Sequence, residues 1–204
     1  MTDSYFTIAG SSSGEYSEKR SKFLAFAFHV ESTDAVKELV QRYEREYYDA
    51  RHVCYAYMLG HRRENFRAVD NGEPSGTAGK PILGQINKSE LTDILIIVVR
   101  YFGGIKLGTS GLTNAYKQAT IDAIAAAQIE ERTVDVQLSV NFEYPLMNDV
   151  MRVVKETNPR ILQQDFQLTC IMKLQIRKSE VVNLVNRLSQ VRGVTVELES
   201  EECD

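Results

Sequence analysis

Residues 94–99 (ILIIVV) are an unbroken aliphatic run, mostly β-branched. Apolar on both alternating faces and only six residues long, the run reads as a strand buried on both sides in the middle of a sheet. The segment behind it is also constrained. Residues 100–113 (RYFGGIKLGTSGLT) carry four glycines, and Leu112, Ala115, Tyr116, Ala119, Ala123 and Ala127 then recur at helical spacing. Buried strand, glycine loop and amphipathic helix follow one another in that order.

The rest of the chain supplies partners for this strand. Residues 22–30 (KFLAFAFHV) are apolar on both faces and read as an interior strand. Ser32-Thr33-Asp34 can cap a helix marked by Val36, Leu39, Val40, Tyr43 and Tyr47. His52–Leu59 and residues 66–69 read as strands, and residues 70–81 (DNGEPSGTAGKP) as a loop of turn formers. Residues 11–14 (SSSG) are the one low-complexity stretch. After a short charged break at residues 130–132, the pattern predicts strand 133–143, helix 146–156, strands 160–166 and 168–176, helix 179–191 and strand 194–199. Pro145 falls in a first helical turn, where its missing N–H costs nothing, and Val181, Leu184, Val185, Leu188 and Val191 set the second helix. Order βαββαβ in about 70 residues reads as a ferredoxin-like sandwich. Its weak point is the turn near Phe166 and Gln167, which lacks Gly, Pro and Asn. The expected class is α+β, with domains at residues 1–132 and 133–204.

Composition excludes several function classes. The six-residue aliphatic run falls far short of the ~20 apolar residues of a membrane span, and the first residues lack the pattern of a signal peptide. Cytoplasm is the expected compartment. Cys54, Cys170 and Cys203 are too scattered for a disulfide framework or a zinc site. The formal net charge is −4, and neither half of the chain is basic, so nucleic-acid binding has to rest on a local patch. The acidic end (Glu197, Glu199, Glu201, Glu202, Asp204) opposes phosphate.

Two loops carry the chemical information. In the first, Gly72, Gly76 and Gly79 allow backbone N–H groups to converge on an anion, with Ser75, Thr77 and Lys80 adding donors and charge. The alternative is a rigid connector whose hydroxyls satisfy its own backbone. In the second, Gly103, Gly104, Gly108 and Gly111 precede a helix, the layout in which unpaired first-turn N–H groups and the helix dipole accept phosphate. Arg100 and Lys106 would strengthen such a site, and Tyr101 and Phe102 could stack on a base. Equally, Ser110 could cap the helix, and the two aromatics could close the strand's core end. The spacing is neither a Walker A loop nor GxGxxG.

No catalytic step is visible. There is no HExxH and no GxSxG. His29 reads as a satisfied strand histidine and His61 as solvated, while His52 beside Arg51 could face the loops. Asp70 and Glu73 could hold Mg²⁺, or simply be solvated. No cofactor and no metal site are expected.

Several stretches together resemble the IMPACT/YigZ family: EKRSKF (18–23), Arg51-His52, DNGEPSGTAG (70–79), VRYFGGIKLG (99–108), Gly111-Leu112 and Ala115-Tyr116. The resemblance covers residues 15–120, and the βαββαβ tail is similar to the second domain of bacterial members. Asn71 stands where family loops often have a second Asp, and Ser110 where a glycine is common. The resemblance implies a first domain with the βαβ-type fold of a small-subunit ribosomal protein's second domain. That fold also occurs in domain IV of elongation factor G and in small-molecule kinases. The tail resembles domain V of the same factor. Eukaryotic relatives bind the ribosome-associated activator of the amino-acid starvation kinase, and bacterial members are described as nucleic-acid or ribosome binders.

The expectation is a translation-associated regulatory factor that contacts RNA, the ribosome or a ribosome-associated protein. Its anion-binding set would be Arg51, His52, Asp70, Gly72, Glu73, Ser75, Gly76, Thr77, Lys80, Arg100, Tyr101, Phe102, Gly103, Gly104, Lys106, Gly108, Ser110 and Gly111. The alternatives are a small-molecule kinase-like phosphate-binding enzyme and a protein-interaction module.

Overall fold

The computed structural model describes residues 3–199. Contacts divide the chain into two compact units, one of Tyr5–Arg132 and one in which the first residues join Thr133 and those after it. The fold is α+β.

The larger unit runs β1 (Ser4–Ile8), β2 (Ser11–Glu18), β3 (Ser21–His29), α1 (Thr33–Glu46), β4 (His52–Leu59), β5 (Asn65–Val69), α2 (Gly79–Lys88), β6 (Ile94–Tyr101), α3 (Gly108–Ala125) and β7 (Ile129–Thr133). Its main sheet has strand order β2-β3-β6-β4-β5, and every neighbouring pair is antiparallel. Because β3 and β4 both oppose β6, they run parallel to each other on either side of it, joined by α1. This is a split βαβ unit. The aliphatic strand sits at its centre and feeds two cores by alternation. Leu95, Ile97 and Val99 meet Val36, Val40 and Tyr43 of α1. Ile94, Ile96 and Val98 meet Ile82 and Ile86 of α2 and Ala115, Tyr116 and Ala119 of α3. Each such aliphatic side chain contributes roughly 1.5–3 kcal/mol by leaving water. Ser32 caps α1 as its position suggests, accepting the Ala35 N–H at 3.2 Å.

Four elements differ from the sequence reading. The turn-rich loop ends at Ala78, and Gly79, Lys80 and Pro81 open α2. Pro81 is tolerated because the first-turn N–H groups of a helix have no intrahelical acceptor, while Ile82 and Ile86 bury one face. Residues 11–14 belong to β2, whose side chains alternate between exposed and half-buried. Gly14 is required there: a Cβ would stand 2.3 Å from the Ala123 backbone nitrogen of α3. Finally, β1 and β7 pair in a small two-stranded sheet, so the charged break at residues 130–132 is itself strand.

The smaller unit runs β8 (Asp135–Glu143), α4 (Met147–Thr157), β9 (Arg160–Phe166), β10 (Thr169–Arg177), α5 (Val181–Ser189) and β11 (Thr195–Leu198). Strand order β11-β8-β10-β9, all antiparallel, is ferredoxin-like. Leu138, Val140, Met172 and Leu174 of the sheet pack with Val150 and Val154 of α4 and Leu184 and Leu188 of α5. Pro145 lies in a 3₁₀ turn, Tyr144–Leu146, that leads into α4. Asp3 joins this unit: its carboxylate accepts from Arg177 Nε and Nη2 at 2.7 and 2.8 Å, and its carbonyl accepts the Val134 N–H. Of the acidic end, Glu199 pairs with Lys173 at 2.7 Å. Glu201, Glu202, Cys203 and Asp204 lie outside the described residues. No helix among the described residues is long and apolar enough to cross a membrane.

Candidate functional site

The split βαβ topology decides which side chains meet. His52 starts β4 and Arg100 stands next to last in β6, and the two are cross-strand partners in the antiparallel register. The loop after β5 and the loop after β6 close over this end of the sheet. Between them lies an open cleft of about 630 Å³, lined by Arg51, His52, Glu73, Pro74, Arg100, Phe102, Lys106, Leu107, Gly108, Thr109 and Leu112.

Its floor is a buried polar network. Glu73 Oε1 accepts from Arg100 Nη1 at 2.6 Å and from the Tyr116 hydroxyl at 2.9 Å, and His52 Nε2 stands 3.9 Å away. The Glu73 and Arg100 side chains are 2% and 7% exposed. His52 Nδ1 lies 3.0 Å from the Asn71 carbonyl, which can only accept. Nδ1 therefore carries a proton. Cys54 Sγ donates to the Asp70 carbonyl at 2.8 Å and lies 3.4 Å from the Tyr116 hydroxyl. Burial pushes the Cys54 thiol up to about 12, so it stays protonated and unreactive at neutral pH. Burial likewise raises the Tyr116 phenol, reinforced by Cys54 and Glu73, and it serves as a hydrogen-bond donor.

The rim is cationic. Arg51 and Lys106 are exposed and make no ion pair among the described residues. The start of α3 has no side-chain cap, so its first-turn N–H groups at Gly108 and Thr109 open onto the cleft wall. Three cations face one carboxylate here, and the helix dipole adds to the positive side.

Of the residues expected from the sequence, Arg51, His52, Glu73, Arg100, Phe102, Lys106 and Gly108 line the cleft. Others have different work. Asp70 turns inward and accepts the N–H groups of Gly76, Ala78 and Gly79 at 2.7, 3.0 and 2.8 Å. Burial opposes its ionisation, but those three bonds and Lys80 hold it below the usual carboxylate range. It organises the loop and, with Glu73 committed to Arg100, forms no metal pair. Thr77 is buried and donates to the Pro74 carbonyl at 2.7 Å, again within the loop. Tyr101 and Phe102 do not share a stacking surface. Tyr101 lies on the α1 face of the sheet and donates to Asp49 at 2.9 Å, as strand alternation demands. Gly103 donates its N–H to Ser21 Oγ at 3.1 Å. Gly72, Ser75, Gly76, Lys80, Gly104, Ser110 and Gly111 are in or next to the two loops but outside the lining. Ser110 makes no capping bond. Arg100 is not a free cation, because Glu73 neutralises it.

The sequence reading missed Pro74, Leu107, Thr109, Leu112 and the Tyr116 hydroxyl. Leu112 and Tyr116 belong to the apolar stripe of α3 and read as core. Nothing in the sequence marks that stripe as reaching a cleft.

A split βαβ sheet with a polar-floored cleft at one end, followed by a ferredoxin-like unit, defines a two-domain α+β protein. Residues 19–124 match the family model of the Impact N-terminal domain. The chain is 29% identical over 182 residues to the Escherichia coli K12 protein named IMPACT family member YigZ, covering 88% of this chain and 89% of that one. It is 32% identical over 157 residues to the Bacillus subtilis 168 protein named IMPACT family member YvyE, covering 77% and 72%. A crystal structure described only as that of a hypothetical protein superposes with a TM-score of 0.76 at 27% identity, covering 99% of this chain and 100% of that one. The chain belongs to the IMPACT family.

Proposed function

We propose that the chain is a non-enzymatic, cytoplasmic, translation-associated factor that binds RNA, free or in the ribosome, through the cleft between its two glycine-rich loops. One observation carries the reading: the uncapped N-terminus of α3 shares a cleft with the unpaired Arg51 and Lys106. N–H groups at a helix start and exposed cations are the groups that hold phosphate, and neither is consumed among the described residues. The link to translation rests on the family resemblance and the fold it implies.

The kinase-like alternative loses support from Asp70, whose carboxylate is taken up by three backbone N–H groups. A protein partner draws support from the apolar lip beside the cleft, where Phe102 and Ile105 are 48% and 45% exposed. Ribosome co-sedimentation over a salt series separates the readings. RNA binding predicts co-sedimentation that falls steeply with salt and is lost when Arg51 and Lys106 become Ala. Salt-resistant co-sedimentation that instead depends on Phe102 and Ile105 would favour the protein partner and reject the RNA reading.

A further inference from the structure

Phosphate is only part of what the cleft is built to meet. Glu73 Oε1 accepts two hydrogen bonds, and no protein group among the described residues donates to Oε2, which is not sealed from solvent. On the same ion pair, Arg100 Nε is buried and has no acceptor. A buried guanidinium N–H left without an acceptor is costly. The floor thus carries a carboxylate oxygen without a protein donor and a guanidinium N–H without an acceptor among the described residues. The walls are apolar: Phe102, Pro74 and Leu112 line the same space, and Phe102 is half exposed with the Arg100 guanidinium stacked 5.6 Å from its ring centre.

A bare phosphate would use the rim and leave the floor and walls unmatched. We infer that the cleft holds one whole nucleotide unit, its base against Phe102 with an N–H edge toward Glu73 and its phosphate at the start of α3 near Lys106. Every nucleobase has a flat face for stacking on Phe102 and an edge with N–H donors that suits a carboxylate oxygen. A cleft of about 630 Å³ lies within the usual range for a small organic ligand. The nucleotide can come from an unstacked position in single-stranded RNA or from free nucleotide, and the two share this chemistry. The inference deepens the RNA reading above and rests on it for the choice of RNA.

The test uses the full-length protein and three kinds of probe: a trimer of abasic ribose phosphate, the same trimer with one central base, and ribonucleoside 5′-monophosphates set against ribose 5-phosphate. Binding is followed by calorimetry. The base-bearing trimer is expected to bind about 5- to 140-fold tighter than the abasic one, the range that base–aromatic stacking supports. Phe102→Ala is expected to erase most of that difference, with a thermal melt checking that the variant is folded. A monophosphate that binds as tightly as the trimer assigns the cleft to free nucleotide, and a tighter trimer assigns it to RNA. Equal affinity for abasic and base-bearing trimers overturns the inference and leaves phosphate recognition standing. If no RNA of any length binds but monophosphates do, the RNA reading falls and the nucleotide site survives. If neither binds, both are wrong.

Discussion

Arg100 donates to Glu73 across 2.6 Å with both side chains more than nine-tenths buried, tying the end of the central strand to the loop that follows β5. The pair fixes the floor of the cleft. It also explains why a loop rich in turn formers holds one shape. Removing one partner of a buried ion pair leaves the other charged without compensation.

Glu73→Ala and Arg100→Ala should therefore each cost about 3–5 kcal/mol. The Glu73→Ala/Arg100→Ala double variant should cost clearly less than the sum of the two. Urea unfolding of the four proteins, read as a double-mutant cycle, checks this; additivity would show that the pair is not coupled.

Glycine substitutions should separate by what a Cβ would meet. Gly14→Ala drives a methyl group into the Ala123 and Asp122 backbone of α3 and should cost about 1–3 kcal/mol or more. Gly84→Ala, in the interior of α2 with open space around it, should stabilise by roughly 0.5–1 kcal/mol. Thermal melts that rank the two in the opposite order would contradict the packing of α3 on β2.

Asp70 gives a pH signature. Its carboxyl sits below the ordinary 3.8 when folded, because burial is outweighed by the N–H groups of Gly76, Gly79 and Ala78. A lowered folded value means the stabilisation is present above pH 3.8 and is lost as the pH falls through the folded value. Asp70→Asn should be less stable than the parent at pH 7, and the gap should narrow below about pH 4. Stability curves that stay parallel down to pH 3 would remove Asp70 from this role.

The sheet and both long helices of the first unit were legible because their signal is periodic: residues 94–99 and 22–30 by continuous apolarity, α1 and α3 by spacing. What escaped was set by neighbours. β2 is polar because it lies at a sheet edge, and only its docking against α3 makes Gly14 informative. α2 begins with Gly and Pro, residues that sequence rules place in turns, and its two isoleucines matter only once the sheet is there to bury them. The cleft was half legible. Arg51, His52, Glu73, Arg100 and Lys106 stood out as charged or titratable residues near glycines. Their division into a neutralised floor and a free rim was not, since it depends on Tyr116 reaching Glu73 across 43 positions of sequence. Of the two readings left open for Tyr101 and Phe102, strand alternation places Tyr101 at the core end on the α1 face and leaves Phe102 at the cleft.

The most direct test of the account is the salt dependence of single-stranded RNA binding by the parent, by the Arg51→Ala/Lys106→Ala double variant and by Lys178→Ala. Lys178 lies exposed in the other unit and lines no part of the cleft. Each phosphate contact on a single strand contributes about 0.7 to the slope of log affinity against log salt. The double variant should bind more weakly at low salt with a slope flatter by roughly 1.4, while Lys178→Ala should match the parent. Identical affinities and slopes for all three proteins would contradict the cleft as an RNA site.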